Sequence, residues 1–139
     1  MKKIIIRKQD VEEMTAYAKG QLPEEACGLI AGMENETEKR VEKVYYLTNT
    51  DASREHFSLD PREQLQSVKD MRSRGLKPLG NWHSHPESPS RPSREDIRLA
   101  YDSNASYLIL SLMEENPVLH SFHVEKGEAC KEFLEIRDE

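Results

Sequence analysis

Trp82-His83-Ser84-His85-Pro86-Glu87-Ser88-Pro89-Ser90-Arg91-Pro92-Ser93-Arg94-Glu95-Asp96 is a stretch in which a strand pattern breaks into a stiff loop and restarts as a helix. Lys77 to His85 reads as a strand, and residues two apart on a strand share a face. His83 and His85 then present two imidazoles side by side, with Trp82 turned away from them into the core. Three prolines within residues 86–92 make the following loop rigid. Ser93 opens the next helix as an N-cap. Asp96 falls in its first turn, where a carboxylate is favoured, and the loop brings it back toward the imidazoles. Two neutral imidazoles and one carboxylate suit zinc at about 2.0–2.2 Å, with a fourth position left for water. A His-x-His pair alone is weak evidence for a metal, and helix capping by itself explains Ser93 and Asp96. The two explanations are compatible, because a helix start is a firm mount for a ligand.

The rest of the chain interleaves helices and strands around this segment. Residues 25–33 are small and apolar without helical periodicity, which predicts a buried central strand where backbones approach closely. Residues 2–7 predict an edge strand. Asp10, with Glu13 three positions on, has the pattern of a capping box for a helix carrying Val11, Met14, Tyr17 and Ala18 and stopping at Gly20. Residues 34–39 read as a turn, Val41 to Leu47 as a strand, Asn49 to Arg54 as a loop and Phe57 to Leu59 as a short strand. A helix runs from Pro61 to Gly75, and another from Ser93 through Tyr101. Residues 106–113 and 118–124 form a hairpin around Glu115-Asn116-Pro117. Cys130 to Ile136 fits strand or helix. The order predicts an α/β fold, a single layered domain over residues 1–139.

Composition narrows the functional classes. The chain has 139 residues, 33% of them charged, and a formal net charge of −6. An acidic chain with a pI of about 5.4 lacks the basic footprint of a nucleic-acid binder. No apolar run is long enough to span a bilayer. The apolar run after Lys2-Lys3 ends at Ile6, too short for a secretion signal. Two cysteines, Cys27 and Cys130, make no disulfide framework. A reduced, cytoplasmic protein that contacts neither membrane nor nucleic acid is expected.

His83-Ser84-His85-Pro86, with seven residues between His85 and Ser93 and two between Ser93 and Asp96, resembles the JAMM (MPN-plus) metalloprotease signature. The resemblance extends upstream to Glu24-Glu25-Ala26-Cys27-Gly28, where the family pattern Glu-x-Cys-Gly selects Glu25. The loop over residues 49–62 looks like the short bacterial branch that acts on ubiquitin-like sulfur-carrier proteins. The resemblance implies a curved mixed β-sheet flanked by helices, related in its layering to the zinc deaminases. It implies Zn2+ held by His83, His85 and Asp96, lowering the pKa of a bound water toward roughly 7. Glu25 would take that water's proton and pass it to the leaving amine, and the Ser93 hydroxyl would donate to the oxyanion. The implied partner is a ubiquitin-like or sulfur-carrier protein with a Gly-Gly C-terminus, whose tail reaches zinc through a narrow channel, with addition to an exposed sheet edge as a mode of docking.

The remaining candidates have ordinary explanations. Cys27 reads as a small buried hydrophobe. His56 belongs to a polar loop, and His120 and His123 to opposite faces of a strand. Glu87, Ser88, Ser90 and Arg91 read as a solvated loop, and Glu24 as a solvated neighbour of Glu25. A metal-free MPN scaffold that only binds protein is the alternative function. It is disfavoured because all five motif residues are present. A zinc deaminase would need His-x-Glu and Pro-Cys-x-x-Cys, and neither occurs. A DNA-repair relative with the same His-x-His is disfavoured by the acidic charge.

Overall fold

The fold is that of a computed structural model describing residues 2–138; the first and last residues of the 1–139 span lie outside it. The strands are β1 (Lys3–Arg7), β2 (Cys27–Glu34), β3 (Glu38–Leu47), β4 (Lys77–His85), β5 (Ser106–Ser111), β6 (Val118–Glu125), β7 (Glu128–Glu132) and β8 (Leu134–Arg137). The helices are α1 (Lys8–Gln21), α2 (Pro61–Ser73) and α3 (Arg94–Arg98). All eight strands join one mixed sheet in the order β7-β6-β5-β4-β2-β3-β1-β8. β4 is parallel to β5 and antiparallel to β2, so the His-x-His strand is interior. Bulges between Ala31 and Gly32 and between Ile30 and Ala31 bend β2 and curve the sheet.

The two faces of the sheet carry separate cores. On one, α1 packs Met14 and Ala18 against Ile4, Ile6, Ile30, Trp82 and Leu108. On the other, α2 packs Met71 against Leu29, Ala31, Tyr45 and Leu47. Alternation along β4 sends Trp82 into the first core and His83 and His85 to the opposite side. Trp82 is fully buried, donates from Nε1 to the Tyr45 carbonyl at 3.1 Å, and lies edge-on to Tyr17 and Tyr46. Gly28 pairs with Trp82 across β2 and β4, and the indole fills the space a side chain there would need.

Several element boundaries differ from the sequence expectation, each for a physical reason. β1 is flanked by β3 and β8, so it is not an edge strand; the ambiguous C-terminal segment supplies the covering strand β8. α1 begins at Lys8, directly after β1, with Arg7 at the N-cap and no capping side chain. Asp10 therefore sits inside the first turn, and burial of Met14 and Ala18 rather than a cap fixes this helix. Only residues 35–37 turn between β2 and β3, around Asn35 Oδ1, which accepts from the backbones of Thr37 and Glu38. The expected strand at Phe57 to Leu59 is reduced to one bridge between Asn49 and Leu59. α3 ends at Arg98, short of Tyr101. Glu25 lies in the lead-in to β2, which starts at Cys27.

Gly28 and Gly20 make a test of this packing. Gly28→Ala drives a methyl into the Tyr45 carbonyl and the Trp82 indole, with a loss of about 3 kcal/mol or more in urea unfolding. Gly20→Ala meets nothing within 4 Å and sits in a helix, so it should be neutral or stabilising by up to about 1 kcal/mol.

Candidate metal centre

Behind β4, three ligand atoms converge. His83 Nε2 and His85 Nε2 are 3.1 Å apart, and Asp96 Oδ2 lies 3.2 Å from the first and 3.1 Å from the second. Both imidazoles are almost fully buried. Asp96 is placed by a capping box: Ser93 Oγ accepts from the Asp96 N–H at 3.0 Å, and the Ser93 N–H donates to Asp96 Oδ2 at 2.9 Å. The loop before α3 is fastened to the sheet rather than merely stiffened. Ser90 Oγ donates to the Ile109 carbonyl, Ser111 Oγ donates to the Ser88 carbonyl, and His120 Nδ1 lies 3.2 Å from the Ser90 carbonyl. Ser90 is thus a buried structural residue, not part of a solvated loop.

These atoms fit a cation. His85 Nδ1 lies 2.9 Å from the Pro89 carbonyl, which can only accept, so the neutral ring carries its proton on Nδ1 and a lone pair on Nε2. Burial holds the His83 imidazole below its ordinary pKa against the pull of Asp96, which favours the neutral, ligating form. Burial also pulls His85 down, but Asp96, the Pro89 carbonyl and Glu25 outweigh it and hold it above the ordinary value. Burial opposes the charge on Asp96, yet its bonds from both imidazoles keep it ionised far below the usual carboxylate range. Three donor atoms at 3.1–3.2 Å from one another can share one cation. The spacing is near the roughly 3.3 Å edge of a tetrahedron with bonds of about 2.0 Å, and two nitrogens with one oxygen is a zinc-type donor set. Among the described residues, His83, His85 and Asp96 are the cluster that could hold a metal ion.

Glu25 and Ser93 line a recess together with His85, Arg54, Glu55 and Glu87. Glu25 is buried and its Oε1 has no partner within the protein. Burial pushes its carboxyl up to about 8; His85 pulls it down and Asp96 adds to the rise. Its backbone is pinned on both sides, the N–H to the Ser53 carbonyl at 2.7 Å and the carbonyl to Asn49 Nδ2 at 3.1 Å. Ser93 Oγ accepts the capping bond and keeps its own proton to give. Cys27 pairs with His83 across the strands, but burial and Glu25 push its thiol up to about 12, and Sγ turns to the Leu47 carbonyl. It behaves as a buried thiol, not a ligand.

Sequence reasoning missed two residues of the loop between β3 and α2. Asn49 gives both amide protons, to the Glu25 and His56 carbonyls, and accepts at Oδ1 from the Asp51 and Ser58 backbones. It ties the loop to Glu25. Phe57 stacks on the His83 ring, 4.6 Å between centroids. A lone aromatic residue in a polar loop, and an Asn-x-Asp pattern suited to a side-chain-closed turn, were the available signals. His56 is an exposed partner of Asp51, and His123 faces Glu125 at 3.9 Å.

The comparisons agree with this geometry. Residues 7–125 match the family model described as prokaryotic homologs of the JAB domain. The CysO-cysteine peptidase of Mycobacterium tuberculosis is 31% identical over 134 residues, 96% of this chain and 90% of that one. The desampylase of Haloferax volcanii is 35% identical over 95 residues, 68% of this chain and 67% of that one. The solution structure of protein DSY2949 from Desulfitobacterium hafniense superposes with a TM-score of 0.91 at 51% identity, covering 98% of this chain and 94% of that one. With relatives named as peptidase and desampylase and a matched span that takes in β2, β4 and α3, the chain belongs to the prokaryotic JAB family, the JAMM/MPN fold its motif resembles.

Proposed function

We propose that the chain is a zinc-dependent metallopeptidase that hydrolyses a peptide or isopeptide bond after the Gly-Gly tail of a ubiquitin-like or sulfur-carrier protein. The observation that carries the zinc reading is the convergence of His83 Nε2, His85 Nε2 and Asp96 Oδ2 within 3.2 Å of one another. Zinc held there would supply Lewis acidity, polarising the scissile carbonyl and making a nearby water more acidic. Glu25 is the proton carrier: its Oε1 takes the proton of the attacking water and delivers it to the leaving nitrogen. At neutral pH a carboxyl pushed up to about 8 holds its proton, and a cation in the triad brings it down into the range of a working base. Ser93 donates its hydroxyl proton to the carbonyl oxygen as negative charge develops.

The names of the relatives, a CysO-cysteine peptidase and a desampylase, support a carrier-protein substrate for this chain. The sheet alters the docking expectation. Its edges are β7 and β8, while the strand bearing the imidazoles is interior. A tail that reaches the centre therefore runs along the loop over residues 48–60 rather than pairing with an edge at β4. Phe57 narrows that approach by covering the His83 ring, which suits a tail without side chains. All five motif residues stand at the site, so a metal-free scaffold has no observation in its favour.

Four outcomes test the proposal. Purified without chelator, the chain should hold about one zinc by elemental analysis, and the His83→Ala/His85→Ala double variant should lose most of it; full occupancy there would sink the assignment. Glu25→Gln should keep its zinc while turnover drops by about 10²–10⁴, whereas Glu24→Gln should stay near the normal rate. Because Glu25 acts as a base only when ionised, activity should rise with pH through its pKa in the zinc-loaded protein, and the Gln variant should lack that limb. Changing the carrier's terminal glycine to leucine should abolish cleavage with zinc content unchanged; equal cleavage of both carriers would remove the glycine channel and leave the metal centre standing.

A further inference from the structure

The His83 ring carries a nitrogen that the triad does not use. Nε2 faces His85 and Asp96, while Nδ1 is buried and has no hydrogen-bond partner within the protein. Two residues earlier on the same face of β4, Asn81 Oδ1 is buried in the same condition. Both side chains line one recess of about 50 Å³, room for an ordered water, with Phe57 and Ile109 among its apolar walls. A ring N–H that must donate and an amide oxygen that must accept are complementary. A recess presenting two such groups is a site for an ordered water.

We propose that Asn81 is a positioning residue for the metal centre: through one internal water, its Oδ1 keeps the His83 proton on Nδ1 and leaves the Nε2 lone pair for the cation. This rests on the zinc reading above. The water accepts from His83 Nδ1–H and donates to Asn81 Oδ1. An imidazole that ligates through one nitrogen carries its proton on the other, and that proton needs an acceptor. His85 has one directly in the Pro89 carbonyl. His83 does not, and Asp96 Oδ2, 3.2 Å from its Nε2, favours the opposite tautomer in the metal-free protein. With a metal at Nε2 the ring proton would sit on Nδ1, where the water bonded to Asn81 Oδ1 would accept its hydrogen bond. Phe57, stacked on the ring, shields this arrangement from the loop side.

Asn81→Leu keeps the size of the side chain and removes the acceptor. Zinc affinity of the full chain, measured by competition with a chelating dye, should fall by about 10–100-fold. The melting temperature of the metal-free variant should be unchanged or higher, because an unpartnered amide has left the interior. Asn81→Asp keeps an acceptor oxygen and should bind zinc as tightly as the wild type or more tightly. Nitrogen-15 histidine spectra of the zinc-loaded wild type should place the His83 proton on Nδ1 with slow exchange, and faster exchange should follow in Asn81→Leu. Wild-type zinc affinity in Asn81→Leu overturns the proposal. So does a joint loss of metal-free stability and zinc affinity in both variants, the mark of a purely structural residue. A wild-type chain that binds no zinc at all overturns the zinc reading and this proposal together, and metal analysis of the wild type tells that result from the others.

Discussion

Convergence of two imidazole nitrogens and a carboxylate oxygen behind β4 is the constraint around which the site is arranged. In water, two imidazoles and a carboxylate would separate or take up protons. Here the backbone holds them together: the imidazoles by alternation on one strand, the carboxylate by a capping box that ties Asp96 to Ser93 in both directions. The proline loop between them is anchored to β5 and β6 through Ser90, Ser111 and His120, so the carboxylate cannot swing away. A helix of five residues has little stability of its own, and these anchors replace it. A proton shared with Asp96 or a cation at the centre would relieve the crowding, and a metal bound there would stabilise the fold that assembles its ligands.

The opposite face of β4 fixes which residues face the centre. A slip of one residue would carry His83 into the core and turn Trp82 outward. Trp82 resists that slip through its bond to the Tyr45 carbonyl, its contacts with Tyr17 and Tyr46, and the slot left by Gly28. The Cys27-Gly28 pair thus has a packing explanation. Cys27 fills a small buried space beside His83, and Gly28 makes room for the indole that locks the register.

The parts legible in the sequence were those with a local signature. Strand alternation over residues 77–85, the Ser93 cap and the Pro61 helix start are written in neighbouring residues, and their elements stand where expected. The motif's resemblance identified Glu25, which spacing alone could not have separated from Glu24. What could not be read was non-local. The interior position of β1 depends on β8, a strand more than a hundred residues away whose own pattern is ambiguous. The Asn49 anchor depends on carbonyls at Glu25 and His56, and the Phe57 stack on a ring two elements later. Such contacts follow from the closed fold, not from periodicity.

Glu25 shows most directly how this fold trades stability for chemistry. A carboxylate placed in β2 proper would be aimed by the pleat, but it would share the ladder's rigidity with its neighbours. In the lead-in, its position is set instead by two backbone bonds, to Ser53 and Asn49, from a loop that also carries Phe57 and lines the approach to the metal ligands. Its Oε1 is left buried without a protein partner, and burial raises its pKa to about 8. Burial disfavours its charged form, and a buried carboxyl whose pKa lies near neutrality is easily moved between its two states by charge nearby. Positive charge in the triad would favour its ionised form. The loop that holds the Glu25 backbone is the same one that stacks Phe57 on His83, so disturbance at Asn49 reaches both through adjoining bonds.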